Sequence, residues 1–156
     1  MSDPCEEAKA GLRNASDVRV QVQWELREET KLMEEYKADM EGAASEKDRA
    51  VYAAQMAADK KQSAAEKLKW KKEVLADDPN DSWKKADVRE AKAELSSATK
   101  ALQSARSRAQ DAKTTHTHFK RKYENKSAYV KEKKNYWNRL SRSIKSWESK
   151  VERNCK

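Results

Sequence analysis

Apolar residues recur along this chain at alternating steps of three and four, in two long runs. The first starts at Cys5 and passes through Ala8, Leu12, Ala15, Arg19 and Val22 to Leu75 without losing phase. Sixteen of its 21 positions are apolar. The second runs from Val88 through Ala91, Leu95 and Ala98 to Asn154, with 16 of 20 positions apolar. A repeat averaging 3.5 residues keeps one narrow stripe turned towards a neighbouring helix, so each run predicts a coiled-coil helix. Between them stands Asp77-Asp78-Pro79-Asn80-Asp81-Ser82. Pro79 cannot continue a helix and pushes Asp78 out of helical geometry. Asn80, Asp81 or Ser82 can cap the next helix. At the other end Asp3 reads as an N-cap, with Pro4 in the first turn and Glu6 three residues after the cap.

The prediction is an all-α fold: one long antiparallel two-helix coiled-coil hairpin spanning residues 1–156, with a helix over 4–77, a turn over 78–81 and a helix over 82–154. At 1.5 Å per residue it makes a rod about 110 Å long. Gly11 and Gly42 fall off the seam and are expected to be tolerated, at about 1 kcal/mol each.

In an antiparallel hairpin, facing positions have a constant sum. A sum of 159 centres on Pro79 and sets Leu12 against Trp147, Val22 against Trp137, Tyr36 against Tyr123 and Leu68 against Ala91. The same register sets Ala50, Ala54 and Ala57 against Ala109, Ala105 and Leu102, where the helices can approach closely. It also brings Cys155 within one residue of Cys5, so these two cysteines are expected to form a disulfide at the open end.

Composition removes several other classes. Charged residues make up 40% of the chain, against roughly 25% in an average domain. Two Gly and two Pro are too few to turn a multi-layer or β-rich chain. Residues 1–78 carry a net charge of −4 and residues 79–156 one of +12. The acidic stretch Glu25 to Glu41 lies opposite the basic stretch Lys120 to Lys134, which favours this pairing and direction. Glu29 falls on the seam within reach of Lys126 and Lys133. No apolar run reaches membrane-spanning length. Met1 to Glu7 is acidic and polar and does not read as a secretory signal.

Several aromatics do not fit the seam. Trp24, Trp70 and Trp83 fall at outward positions, with Tyr52 on the flank. Three readings stay open: Lys and Arg stems cover each ring, two hairpins associate into a four-helix assembly, or the rings mark a binding site. The tip carries Trp70 and Trp83 among Lys69, Lys71, Lys72, Lys84 and Lys85. The candidate partner-binding residues are Trp24, Trp70, Lys72, Trp83, Lys84 and Lys85. Residues 113–156 hold 14 basic against 4 acidic side chains, a footprint for a nucleic acid or an anionic glycan. His116 and His118 do not share a helix face, so no metal is expected. No Gly-rich phosphate loop, Cys-x-x-Cys pair or Ser-His-Asp set occurs, so neither a cofactor nor an enzymatic activity is expected.

Asn14, Asn80 and Asn125 each begin a glycosylation sequon. With the cysteine pair they favour an extracellular or cell-surface location, the periplasm being the alternative. In architecture the chain resembles the receptor-binding hairpins of colicin-type bacteriocins, with their Ala- and Lys-rich helices and a tip similar to Asp78-Pro79-Asn80-Asp81-Ser82-Trp83. It also looks like the helical ectodomains of trypanosome surface receptors, which the sequons and terminal cysteines suit. The expected function is a non-enzymatic recognition rod that binds a protein partner through its exposed aromatics or tip. The alternatives are a self-assembling coiled-coil spacer, a bacteriocin-like receptor-binding hairpin and a polyanion binder.

Overall fold

The computed structural model describes residues 3–156. Helix α1 spans Pro4–Asp77 and helix α2 spans Ser82–Asn154, packed against each other as a hairpin. No strand occurs among the described residues. Asp3 caps α1: the backbone N–H of Cys5 donates to its carboxylate at 3.0 Å. Asp81, of the three possible caps, starts α2, accepting the N–H groups of Trp83 at 2.9 Å and Lys84 at 3.3 Å. The turn closes through Asp78 N–H to the Leu75 carbonyl at 3.0 Å and Asp81 N–H to the Asp78 carbonyl at 3.2 Å. No residue in it needs a positive φ, which is why this reversal works without glycine.

Among the described residues the ten buried apolar ones all lie on the two seams: Ala8, Val22, Ala43 and Leu68 in α1, and Val88, Ala91, Leu102, Ala109, Val130 and Ile144 in α2. Cross-helix contacts hold the expected register. Tyr36 meets Lys122, Lys133 meets Glu25 and Lys71 meets Asp87, each pair within one of the constant sum.

Contacts cluster into two segments: the chain up to Met40 with Phe119–Lys156, and Glu41–His118. The first has large side chains on its seam, among them Leu12, Met33 and Tyr36 in α1 and Phe119, Trp137 and Trp147 in α2, all half-buried. Cys5 and Cys155 form a disulfide with Cα atoms 4.9 Å apart. The seam residue Arg19 lies over the Trp137 ring, 5.8 Å from its centre. Gly11 departs from the expectation that it merely fits. A Cβ placed there would come within 2.7 Å of three Trp147 ring atoms, so the indole lies flat on the backbone and only glycine leaves it room.

The second segment has a smaller seam. Near the turn, Leu68, Val88 and Ala91 form its core, with Leu75 and Leu95 packed against them. Further from the turn the seam is mostly alanine: Ala50, Ala54, Ala57 and Ala64 in α1, and Ala98, Ala105 and Ala109 in α2. Three ion pairs cross between the helices or brace the turn: Lys67 with Glu94, Lys71 with Asp87 and Lys84 with Asp78.

Candidate functional site

The alanine seam leaves a groove on one side of Glu41–His118. Its middle is a cavity of about 390 Å³ lined by Tyr52, Ala53, Met56, Ala57, Lys60, Ala98 and Ala101. Ala53 also lines the next hollow away from the turn, with Glu46, Arg49 and Arg108. Met56 and Lys60 also line the next hollow towards it, with Ser63, Lys67 and Glu94. The depression is therefore continuous along this side. A separate small cavity of about 170 Å³ nearer the turn is lined by Trp70, Lys71, Val74, Lys84 and Asp87. The local cause is side-chain size: methyl groups on both helices cannot fill the space beside the seam, while Tyr52 and Met56 stand at its edge.

The outward aromatics are not covered by lysine and arginine stems. Trp83 is 82% exposed, Trp24 62% and Trp70 58%. Lys71 Nζ lies 5.1 Å from the Trp70 ring centre, yet the ring stays open to solvent. Asp81 holds Trp83 at its backbone, in the first turn of α2, so the exposed ring projects from an ordered helix start.

The candidate residues do not form one cluster. Trp70 and Lys84 line the same cavity, and Trp83 adjoins Lys84 in sequence. Lys72 lies two residues beyond Trp70, and Lys85 two beyond Trp83. Residues two apart on a helix point about 200° away from each other, so Lys72 and Lys85 sit on the opposite side. Trp24 belongs to the other segment. The groove around Tyr52 and Met56 was not among the expected site residues. Gly42, Arg49, Met56 and Ser63 precede Trp70 at steps of seven, beside the seam rather than on it, but their residue types share no pattern that marks a groove.

The first segment holds a second polar cluster. Lys126 Nζ is 2.7 Å from Glu29, and Lys133 Nζ is 2.5 Å from Glu25. Glu29 therefore takes only one of the two lysines expected of it, because Glu25 claims the other. The hydrogen bond from Lys133 holds the Glu25 carboxyl below the usual carboxylate range. In return Glu25 raises Lys133, and Glu29 raises Lys126. Tyr129 lies under both ammonium groups, 5.2 Å from each. The charges neutralise one another, so this cluster fixes register rather than offering a free site.

Among the described residues no group of three His, Cys, Asp or Glu is placed to hold a metal ion. Among the described residues no helix is long and apolar enough to cross a membrane. Neither a protein-family model, nor a curated protein, nor a solved structure matches this chain. The functional reading therefore rests on this surface.

Proposed function

We propose that the chain is a non-enzymatic, extracellular or cell-surface recognition hairpin that binds a protein partner through the grooved side of Glu41–His118, with Trp70 and Trp83 as its anchors. The observation that carries this reading is the open, ordered placement of the tip tryptophans. Burying one large aromatic side chain on binding removes roughly 150–250 Å² of surface from water, and such anchors dominate interface energetics. The disulfide between Cys5 and Cys155 supports an oxidising compartment.

The test is a binding measurement on the intact oxidised chain against a partner purified after capture. Trp70→Ala with Trp83→Ala should weaken binding by roughly a hundredfold, as loss of two anchors implies. Trp24→Ala should leave it within a few-fold. Unchanged binding by the tip variant would exclude this face.

A further inference from the structure

Reversing the groove about its middle sets unlike residues against each other, small against large and acidic against basic. In α1 the seven-residue stripe reads Gly42, Arg49, Met56, Ser63, Trp70. Turned about Met56, it exchanges Gly42 with Trp70 and Arg49 with Ser63. Beside the stripe, Glu46 and Lys67 stand at nearly equal distances from Met56, with opposite charge. In α2, Glu94 and Arg108 stand at equal distances from Ala101, again with opposite charge. Met56 and Ala101 both line the central cavity, so both helices share one centre of reversal. Glu46 and Arg108 mark one end of the groove and Lys67 with Glu94 the other.

We infer that this face binds a second copy of the same chain, face to face and head to tail, as an antiparallel four-helix bundle over Glu41–His118. This deepens the recognition reading above by naming the partner of that side. A two-fold axis across the groove at Met56 and Ala101 sets α1 against α1 and α2 against α2 of the second copy, every neighbouring pair antiparallel, as in simple bundles. Lys67 then faces Glu46 of the second copy, and Glu94 faces Arg108. Lys67 and Glu94 already pair at 3.1 Å within one chain. Glu46 and Arg108 form no ion pair among the described residues. Four charges of alternating sign meet at each end; between them lie alanines, Met56, Tyr52 and Lys60, with Lys60 set against Tyr52 of the second copy.

Gly42 supplies an independent observation. Nothing lies within 4 Å of a Cβ built on it, and mid-helix glycine costs about 1 kcal/mol against alanine. The chain's other glycine, Gly11, carries the flat Trp147 ring. The two-fold axis places Trp70 of the second copy on Gly42 in the same relation. From Gly42 to Trp70 the face is about 42 Å long at 1.5 Å per residue and about 20 Å wide across two helices. That is about 800 Å² per copy, the size of a standard stable interface.

The test is sedimentation equilibrium on the intact oxidised chain, from micromolar to millimolar concentration, with helix content checked by circular dichroism. The wild type should dimerise. Glu46→Lys alone sets Lys against Lys67 twice, and Lys67→Glu alone sets Glu against Glu46 twice; each should weaken its own dimer roughly tenfold or more, since like charges meet at both ends. Mixed one to one, the two variants regain both contacts and should form a heterodimer of near wild-type affinity. Lys67→Glu also breaks its own pair with Glu94, but mixing does not repair that, so recovery reports the contact between copies. A wild-type chain that stays monomeric overturns the inference, as does a dimer that mixing fails to restore. A monomer that still binds a different protein through Trp70 and Trp83 overturns the self-pairing while leaving the recognition face standing. Loss of that binding as well would remove both.

Discussion

Replacing each of the two glycines by alanine should change stability in opposite directions. In an open helix position, alanine gains about 1 kcal/mol over glycine, and Gly42 is such a position in the single chain, with nothing within 4 Å of the added methyl. At Gly11 the same methyl would come within 2.7 Å of three Trp147 ring atoms. The indole must slide away from the backbone, and overpacking of this kind costs typically about 1–3 kcal/mol. Set against the same helix gain, Gly11→Ala should be destabilising by about 1 kcal/mol, leaving the two variants about 2 kcal/mol apart. Urea unfolding of the oxidised chain, followed by helix signal in dilute solution, reads this directly from the midpoints if the slopes agree. The Trp147→Ala background supplies the control: there Gly11→Ala should gain stability as Gly42→Ala does. If Gly11→Ala were stabilising in the wild-type chain, the stacking of Trp147 on α1 would be wrong, and the packing near the disulfide with it.

Reducing the bond between Cys5 and Cys155, or replacing both by alanine, should lower stability by up to about 5 kcal/mol in the chain-entropy model for so long a loop; thermal melts with and without reductant measure it, and an unchanged midpoint would show that the bond does not constrain the unfolded chain. Leu102→Ala, at a position 3% exposed, should cost about 2–3 kcal/mol in urea titrations, whereas Leu32→Ala, off the seam, should cost clearly less; equal losses would contradict the seam. The ion pairs Glu25–Lys133 and Glu29–Lys126 set a pH window. Glu25 has its folded pKa lowered by Lys133, so its contribution is present above the ordinary carboxylate range and fades as pH falls through the lowered value. Lys126 and Lys133 are raised by Glu29 and Glu25, so theirs is complete below the ordinary lysine range and fades as pH rises through the raised values. Melting temperature should therefore stay level through neutral pH and lose height at both extremes, and Glu25→Gln should flatten the acid limb; an acid limb unchanged by it would show that Glu25 adds nothing there.

The hairpin was legible because one rule governs most of it. A coiled coil repeats the same contact every heptad, so a phase held from Cys5 to Leu75 and again from Val88 to Asn154 already fixes which residues touch, and Pro79 fixes the direction. Asp81 as the cap, rather than Asn80 or Ser82, was not legible, because all three accept backbone N–H groups and the turn geometry selects among them. Nor was the seat of Trp147. Pattern reading treats Gly11 as a missing side chain, whereas the structure uses it as space. Lys72 and Lys85 looked close to Trp70 and Trp83 because sequence distance near a turn is short. A two-residue step nevertheless carries each lysine to the far side of its helix. The groove was hidden for a related reason: a seam of alanine keeps the same period as a seam of leucine, and period says nothing about how much space is filled.

That difference in filling connects the fold to its proposed use. A leucine carries three more carbon atoms than an alanine, and each buried CH₂ is worth about 0.8 kcal/mol. Every seam position held by alanine therefore forgoes about 2 kcal/mol of burial. In the first segment, large seam residues and two braced ion pairs complete the contact between the helices. In Glu41–His118 the alanines from Ala50 to Ala64 forgo that burial, partly offset by the high helix propensity of alanine itself. Side chains large enough to fill the space are present, but Tyr52, Met56 and Trp70 stand beside the seam, where one hairpin leaves each of them exposed. A core built only for two helices would place its bulk on the seam. Bulk moved to one side, with small residues beneath it, is the arrangement that a third and fourth helix complete, and the reversed charges at its ends match those helices when they come from the same chain.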